Sequence, residues 1–397
     1  MALKDFEYGD TIHRCFRCGY CKFPVNWTDV NNCPPYARFR METYSCGGRL
    51  WLSRAWLNEQ IDWTEHLAKI LYSCTTCKNC EIKCPLRFNV DIVNMVVAAR
   101  NEMVESGRLP PAVKSFLQNI ELHGNPYGSG RGSRGAWAEG TGVEQYNGHE
   151  YLFYVGCAGS YDTRARQSAR AAAQLLHRAG ISFGMLGSEE NCDGNEVHKL
   201  GEQGLFEVLA EGNIAAFRRL GVRKIITLSP HAFNAFRNHY PSYGGDFVVL
   251  HYTQIIQDLL KTGRIAFSRD LGERITYHDP CFLGRWNGEY ETPREILMAI
   301  PGADFIEMEK NREGALCCGG GGGNFHIDLL GGSENSPARR RVREACETGA
   351  RTLAVACPKC LIMLEDAVKA EGLEGKLSVM DIAEIVAKAC GIEGYTS

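Results

Sequence analysis

The sequence predicts a multidomain α+β protein, in which a helical, cysteine-rich N-terminal domain is followed by two repeated α/β halves. Three observations predict this arrangement. Residues 1–122 hold nine cysteines in two groups. Residues 123–149 are rich in glycine and have no apolar periodicity, which is typical of a connector. Residues 150–397 alternate strand-like and helix-like stretches, and the pattern of 150–272 recurs in 273–397.

The composition excludes several classes of function. The 397 residues carry a net charge of -3, so no basic surface for nucleic acid is expected. No apolar run approaches the roughly 18 residues of a membrane helix, and the first residues form no signal core. We therefore expect a cytoplasmic protein, with peripheral attachment to the inner face of the membrane through a partner as the alternative. Eighteen cysteines in such a protein indicate metal binding rather than disulfides.

The clearest motif of the N-terminal domain is Cys74-x2-Cys77-x2-Cys80-x3-Cys84-Pro85. This is the bacterial ferredoxin run, in which three close thiolates bind one cubane and the fourth cysteine ligates the neighbouring cluster. Zinc is the alternative metal, but zinc sites use two separated CxxC pairs rather than one crowded run. The flanking stretches 65–73 and 90–106 are amphipathic, which favours an α-helical ferredoxin domain over the small β-rich ferredoxin fold.

A second run, Cys15-x2-Cys18-x2-Cys21, has its fourth cysteine displaced. Cys33 is the preferred candidate because it keeps the Cys-Pro signature, and Cys46 is the fallback. The sequence therefore predicts two cubane [4Fe–4S] clusters. The ligands assigned to the first cluster are Cys15, Cys18, Cys21 and Cys84. The ligands assigned to the second cluster are Cys33, Cys74, Cys77 and Cys80.

An internal repeat in the C-terminal region predicts two similar halves of Rossmann-like type. Each half has a strand ending in cysteine, then a loop, and then a strand that leads through a turn into a helix. In the first half these segments are 151–157, 191–194 and 225–232. In the second half they are 274–281, 317–320 and 353–360. Sites of open α/β sheets lie at the carboxyl ends of the strands, so these loops are the expected site positions.

Five cysteines of the second half form one spaced set. Cys281 is followed after 35 residues by the adjacent pair Cys317-Cys318, and after 38 more by Cys357-x2-Cys360. Adjacent cysteines cannot both point at one cubane corner without strain. The set therefore indicates a larger, irregular metal–sulfur cage.

A glycine run, 319–323, follows the cysteine pair directly. Glycine lets the backbone approach a bulky cluster and direct its N–H groups at the cluster sulfurs. Gly319, Gly320 and Gly321 are therefore candidate cofactor-binding residues.

Together these motifs resemble the D-type subunit of heterodisulfide reductase, a fusion of a two-cubane domain with two cysteine-rich CCG domains. The resemblance covers nearly the whole chain and includes the segments 278–285 and 290–294 beside the cysteine motifs. It implies that the five spaced cysteines hold a noncubane [4Fe–4S] cluster. It also implies that electrons run through the cubanes to this cluster, where a disulfide is reduced or two thiols are oxidised.

The first half departs from this family pattern. Of its five expected cysteines only Cys157 and Cys192 remain, so we expect one noncubane cluster and an empty or altered first site. Three interpretations stay open. The half is a structural remnant with two buried cysteines, or a pocket facing the remaining cluster with His231 as proton donor. The third is a different metal bound by Cys157, Cys192 and His231.

His278 is a second catalytic candidate, because His278 and Asp279 precede Cys281 and could relay protons to the cluster site. Orienting the turn is the alternative role of this stretch.

Two functions are open at this point. One is a redox-catalytic subunit whose noncubane cluster acts on a thiol or disulfide. The other is a pure electron-transfer module, similar to subunits of the class II benzoyl-CoA reductase assembly, and the loss of the first cysteine set favours it. No flavin or nicotinamide fingerprint is visible, so a partner must supply electrons. The partner classes are a flavin, ferredoxin-like or hydrogenase-like subunit, or a membrane cytochrome.

Overall fold

The computed structural model describes residues 6–23, 32–86, 88–392 and 394, and the chain separates into two compact units. The first unit comprises the described residues of Met1–Gln118, Glu196–Phe206 and Lys310–Arg341. The second comprises Asn119–Asn195, Glu207–Glu309 and the described residues of Val342–Ser397.

The N-terminal region is helical, as predicted. Its helices are α1 Pro34–Phe39, α2 Cys46–Leu57, α3 Glu65–Tyr72, α4 Asn79–Lys83, α5 Ile92–Glu105 and α6 Pro111–His123. The start of α3 is fixed by Thr64, whose Oγ1 accepts a hydrogen bond from the Leu67 amide at 3.1 Å. Trp56 at the end of α2 stacks on Trp63, with ring centroids 4.5 Å apart. The helices predicted over 65–73 and 90–106 are confirmed as α3 and α5.

Two four-stranded parallel sheets form the second unit, and the predicted repeat is confirmed by their identical topology. The strand orders are β2-β1-β3-β4 and β6-β5-β7-β8. The strands of the first sheet are β1 Tyr151–Tyr154, β2 Phe183–Gly184, β3 Lys224–Thr227 and β4 Val248–His251. Those of the second are β5 Arg274–Tyr277, β6 Asp304–Phe305, β7 Thr352–Val355 and β8 Ser378–Asp381. Their central strands are buried along nearly their whole length, as expected for parallel sheets covered on both faces.

Helices alternate with these strands, which gives the α/β character that the sequence predicts. They are α7 Gly156–Tyr161, α8 Ala165–Arg178, α9 Asn195–Lys199, α10 Gln203–Arg219, α11 Pro230–Asn234, α12 Tyr252–Lys261, α13 Glu291–Met298, α14 Asn324–Ile327, α15 Pro337–Glu347, α16 Pro358–Ala370 and α17 Ile382–Ala389. A short π-helix, Ala235–His239, continues α11. Pro230 and Pro358 open the matched helices α11 and α16, where a missing backbone N–H costs nothing.

The two halves of the second unit share one core. Apolar side chains of α8 pack with those of α17, and the Arg164 guanidinium pairs with the Glu384 carboxylate at 2.6 Å. The glycine-rich segment contributes Trp137, which is fully buried and packs edge-on against Phe153 at 5.7 Å. None of the helices in the described ranges combines the length and apolar character needed to span a bilayer.

Candidate metal centres

The four cysteines predicted for the first cubane line one small cavity in the first unit. They are Cys15, Cys18, Cys21 and Cys84, and Cys46 lines the same cavity. The remaining wall is largely apolar and includes Leu50, Phe88 and Ile92. Cys18 is exposed and Cys15 is buried, so one side of the cavity faces solvent.

The four cysteines predicted for the second cubane line a neighbouring cavity, again with Cys46. They are Cys33, Cys74, Cys77 and Cys80. Cys33 and Cys77 are buried, and Val93 and Val96 of α5 supply apolar wall. Both donor sets fit [4Fe–4S] clusters, because each offers converging thiols in a confined and mostly apolar setting.

Cys46 stands between the two cavities. Its thiol shares hydrogen bonds with the Cys21 and Cys80 thiols, and these bonds raise the pKa of Cys46 well above its ordinary value. The same contact lowers the pKa of Cys21 to about 7. The sequence offered Cys46 only as the fallback ligand. In the structure its thiol contacts one thiol of each predicted ligand set, Cys21 and Cys80.

Arg49 is a buried cation beside the second cavity that the sequence did not single out. Its Nη1 donates to the Cys33 sulfur at 3.8 Å. Its Nε donates to the Ile70 carbonyl at 3.0 Å, and its Nη2 donates to Ser73 Oγ at 3.2 Å. A fully buried guanidinium against a thiol offsets the negative charge that a ligating thiolate brings into the protein interior.

The Cys317 thiol lies against the loop of the second cubane motif, within the first unit. Cys317 Sγ is 3.6 Å from Oγ1 of Thr75, the residue that follows Cys74. The Gly319 amide donates to Cys317 Sγ at 3.3 Å. Gly322 has φ +60°, and a Cβ there would lie 2.5 Å from the Cys74 carbonyl oxygen. Only glycine therefore lets this segment approach the cubane loop so closely.

The three predicted cofactor-binding glycines have different contacts. The Gly319 N–H points at a thiol, as expected for a cluster-binding amide. The carbonyls of Gly320 and Gly321 accept hydrogen bonds from the Phe325 and Asn324 amides, which closes the turn into α14.

Cys281, Cys357 and Cys360 lie in the second unit, after the adjacent parallel strands β5 and β7. Cys281 lies in the turn after β5, whereas Cys357 is the N-cap of α16 and Cys360 lies in its first turn. Although burial opposes ionisation, hydrogen bonds from Cys360 and His231 lower the pKa of Cys357 well below its ordinary value. The ring of Phe282, next to Cys281, lies 4.3 Å from the His231 ring. His231 therefore contacts Cys357 itself and Phe282, the neighbour of Cys281.

Asparagine side chains fix the orientation of His231. The Asn195 amide donates to His231 Nδ1 at 3.2 Å, and the Asn195 Oδ1 accepts from the Asn234 amide at 2.8 Å. Asn234 Oδ1 in turn accepts from Asn238 at 2.9 Å. With Nδ1 acting as acceptor of the Asn195 amide, the proton of the neutral ring lies on Nε2.

The turn before Cys281 is held by an ion pair. Both carboxylate oxygens of Asp279 accept from Arg294, at 2.7 and 2.9 Å, and both residues are buried. A bidentate pair fixes the chain direction strongly. His278 is fully buried beside it, and its backbone amide bonds to the Ala354 carbonyl at 2.9 Å. Asp279 therefore orients this turn, which is one of the two roles considered for the stretch.

The segment matching CxxC in the first half is a helix start. Ser229 Oγ accepts from the His231 amide at 3.2 Å and so caps α11, while Ala232 is fully buried. A capping hydroxyl and a methyl group therefore stand where the second half has the two thiols of its CxxC pair.

The rest of the first site holds a buried ion pair instead. Arg134 Nη2 donates to Glu190 Oε1 at 2.9 Å and to Cys157 Sγ at 3.5 Å. Cys192 is buried and shares a hydrogen bond with Cys157. Arg134 lies in the segment predicted as a connector, where its glycine-rich surroundings gave no signal of a site.

Two profiles of known families match the chain. The CCG cysteine-rich domain matches residues 151–237 and 275–365, and the 4Fe-4S dicluster domain matches residues 11–88. These matches cover the repeat and the N-terminal cysteine runs.

Three relatives share large parts of the sequence. The D-type subunit of dihydromethanophenazine:CoB--CoM heterodisulfide reductase from Methanosarcina barkeri is 30% identical over 96% of this chain and 94% of its own length. The probable iron-sulfur-binding oxidoreductase FadF of Bacillus subtilis is 38% identical over 80% of this chain. EtfAB:quinone oxidoreductase of Syntrophomonas wolfei is 36% identical over 81% of this chain. The chain spans only 46% and 47% of the length of the latter two proteins.

A crystal structure of a hypothetical protein from Helicobacter pylori has the same fold. It superposes with a TM-score of 0.56 over 91% of this chain and 71% of its own, at 11% sequence identity. Since the identity is so low, this likeness concerns the fold alone.

Proposed function

Because this chain belongs to the family of the D-type heterodisulfide reductase subunit, we propose that it carries electrons singly through two cubane clusters to a noncubane cluster. The chain is an iron–sulfur oxidoreductase in the broad sense that its relatives share. The finer proposal assigns the thirteen cysteines as follows. The first cubane takes Cys15, Cys18, Cys21 and Cys84; the second takes Cys33, Cys74, Cys77 and Cys80; the noncubane cluster takes Cys281, Cys317, Cys318, Cys357 and Cys360.

The observation that carries the proposal is the contact between Cys317 and the second cubane loop. Cys317 Sγ lies 3.6 Å from Thr75 Oγ1, and Thr75 is flanked by the ligand Cys74. Electron transfer between two clusters is faster when the path between their ligands is short. The buried Arg100 holds this loop, because its Nη2 donates to the Cys74 carbonyl at 2.6 Å.

Iron–sulfur clusters, when bound, accept and release single electrons at potentials that local charge and hydrogen bonds set. The side chains around the second cavity favour a higher potential there. Arg49 places a positive charge beside Cys33. The first cavity has the exposed Cys18 at its edge, which makes that side the entry point for electrons from a partner.

Thiol or disulfide chemistry at the noncubane cluster is the second candidate function, and the position of His231 favours it. Reduction of a disulfide consumes two electrons and two protons. The imidazole contacts Cys357 and is oriented by Asn195, so it is placed to hold a proton where a substrate sulfur would bind. His278 is buried beside the same turn and is the alternative proton carrier.

A spectroscopic experiment separates the two functions. The anaerobically purified full chain is reduced stepwise, and the paramagnetic signal of the noncubane cluster is recorded with and without candidate thiols and disulfides. A change of that signal with one sulfur compound supports catalysis at the cluster. If no sulfur compound alters the signal while one-electron reductants still reduce the cluster, the protein is an electron carrier and the catalytic candidate is wrong.

We propose partners by analogy with the relatives. The name of one relative includes EtfAB and a quinone, and the name of another includes dihydromethanophenazine. Anaerobic affinity purification from the native source identifies the co-purifying chains. A membrane cytochrome would indicate a quinol-linked thiol/disulfide reductase, whereas soluble flavin and active-site metal subunits would indicate a relay. In either case the proposed location of this chain is the cytoplasm.

A further inference from the structure

The first cysteine-rich half retains two cysteines that face each other. Cys157 follows β1 and is partly exposed, whereas Cys192 lies in the loop after β2 and is buried. The two thiols share a hydrogen bond. The Gly194 amide donates to Cys192 Sγ at 3.5 Å, and the Asn213 amide donates to the Cys192 carbonyl at 2.9 Å. Cys192 is therefore held in place behind the more accessible Cys157.

A buried guanidinium faces Cys157. Arg134 is 1% exposed, and its Nη2 lies 3.5 Å from the Cys157 sulfur. The Arg134 position is itself fixed by hydrogen bonds to Glu190 Oε1 at 2.9 Å and to the Gly124 carbonyl at 3.2 Å. A rigid cation at this distance stabilises the thiolate form of the cysteine.

The charged and titratable groups that face Cys157 include one cation and several acidic or phenolic groups. They are Arg134, Glu190, Cys192, Asp193, Tyr127, Tyr154 and Tyr161. The hydrogen bond from Cys192 lowers the pKa of Cys157, burial opposes this change, and Arg134 adds to it. The same contact raises the pKa of Cys192, so Cys157 is the member of the pair that ionises more readily.

We propose that Cys157 and Cys192 form a redox-active dithiol that exchanges with a small organic disulfide. Partial exposure suits a nucleophile, and a buried second thiol in contact suits a resolving cysteine. A small disulfide is the substrate class, because Cys157 offers only a partly open surface. The proposal goes beyond electron transfer through clusters and does not depend on it.

The exchange proceeds in two balanced steps. The Cys157 thiolate attacks one sulfur of the disulfide, the substrate S–S bond breaks, and one thiolate leaves. Cys192 then attacks the Cys157 sulfur of the mixed disulfide, and its proton passes to the second leaving thiolate. The protein dithiol loses two electrons and becomes the Cys157–Cys192 disulfide, while the substrate gains both electrons and becomes one thiolate and one thiol.

Mass spectrometry on the intact, cluster-containing chain tests the proposal. Anaerobic protein is mixed with 2-hydroxyethyl disulfide, quenched with an acidic alkylating reagent and digested. We expect the Cys157–Cys192 disulfide in the native protein and a stable mixed disulfide on Cys157 in Cys192→Ser. An ordinary thiol is only about 3% thiolate at pH 7. Because the pKa of Cys157 is lowered and burial raises that of Cys346, Cys157 should be modified faster than Cys346.

Cys346 is the matched control, because it is also partly exposed and burial raises its pKa. Modification of Cys157 at the rate of Cys346 would overturn the proposal. So would a native protein in which Cys157 accumulates the mixed disulfide without linking to Cys192. Both results are read from the native protein, so the test stands even if a variant fails to fold. Iron content is followed in parallel, and a loss of iron that precedes Cys157 modification would also overturn the proposal.

Discussion

Arg49 gives the sharpest prediction about the second cubane cluster. Its guanidinium is buried, and Nη1 lies 3.8 Å from the Cys33 sulfur. Replacing it with methionine removes a positive charge and keeps an unbranched, apolar side chain of similar length. Since the reduced cluster is the more negative state, loss of the cation should destabilise it and lower its midpoint potential.

The size of the shift follows from Coulomb's law. A metal–thiolate bond of about 2.3 Å places the cluster roughly 6 Å from the guanidinium. At an effective dielectric constant of about 20, unit charges at this distance interact by roughly 2.7 kcal/mol. For a one-electron couple that energy is roughly 120 mV. Arg49→Met is therefore expected to lower the potential of the second cluster by about 100 mV and to leave the first nearly unchanged.

The assay is a redox titration of the purified protein followed by paramagnetic resonance. Arg49→Lys is the matched control, because it keeps the charge while giving up the planar fork that reaches Ile70 and Ser73. It should shift the potential by less than about 40 mV, a third of the charge-removal effect. If Arg49→Met titrates with native potentials while its iron content is intact, the electrostatic reasoning is wrong.

Three further changes test other parts of the account. Cys33→Ser should lower the iron content by about four atoms, whereas Cys46→Ser should keep all iron and alter only the potentials; the reverse result would make Cys46 the ligand. His231→Gln, which keeps a side-chain amide donor, should preserve the iron content but abolish any response of the noncubane signal to a disulfide. An unchanged response would remove the imidazole from the chemistry. Burial raises the pKa of Asp381 from 3.8 to about 8. Its carboxyl stays neutral in the folded state below about pH 8 but ionises in the unfolded chain above about pH 4, so stability falls as pH rises between these values. Asp381→Asn keeps a helix-capping side chain that cannot ionise, and its melting temperature relative to the native protein should rise over this window; a constant difference would refute the shift.

Local sequence patterns predicted much of the fold. The amphipathic stretches became α3 and α5, and the repeated strand–turn–helix pattern became two sheets of one topology. These features depend on neighbouring residues, so a single sequence reveals them. The four thiols of each predicted ligand set line one N-terminal cavity together with Cys46, and the cluster assignment itself stays a prediction.

The buried cations could not be predicted in the same way. Arg49 contacts Cys33 across 16 residues, and Arg134 contacts Glu190 across 56. In a sequence such arginines look like ordinary surface residues, and only the tertiary fold buries them and supplies their partners. The same reasoning explains why the sequence left the role of Cys157 and Cys192 open. Their hydrogen bond and the guanidinium beside them depend on the packing of a segment that had no motif.

Iron content and cluster signals of the native protein and of Cys281→Ala test the central claim most directly. We predict about twelve irons in the native protein, from three four-iron clusters, and about eight in the variant. The two cubane signals should remain in the variant while the third signal disappears, and Cys346→Ala should match the native protein. A Cys281→Ala protein that keeps all its iron and all three signals would contradict the assignment of the noncubane cluster to the second cysteine set.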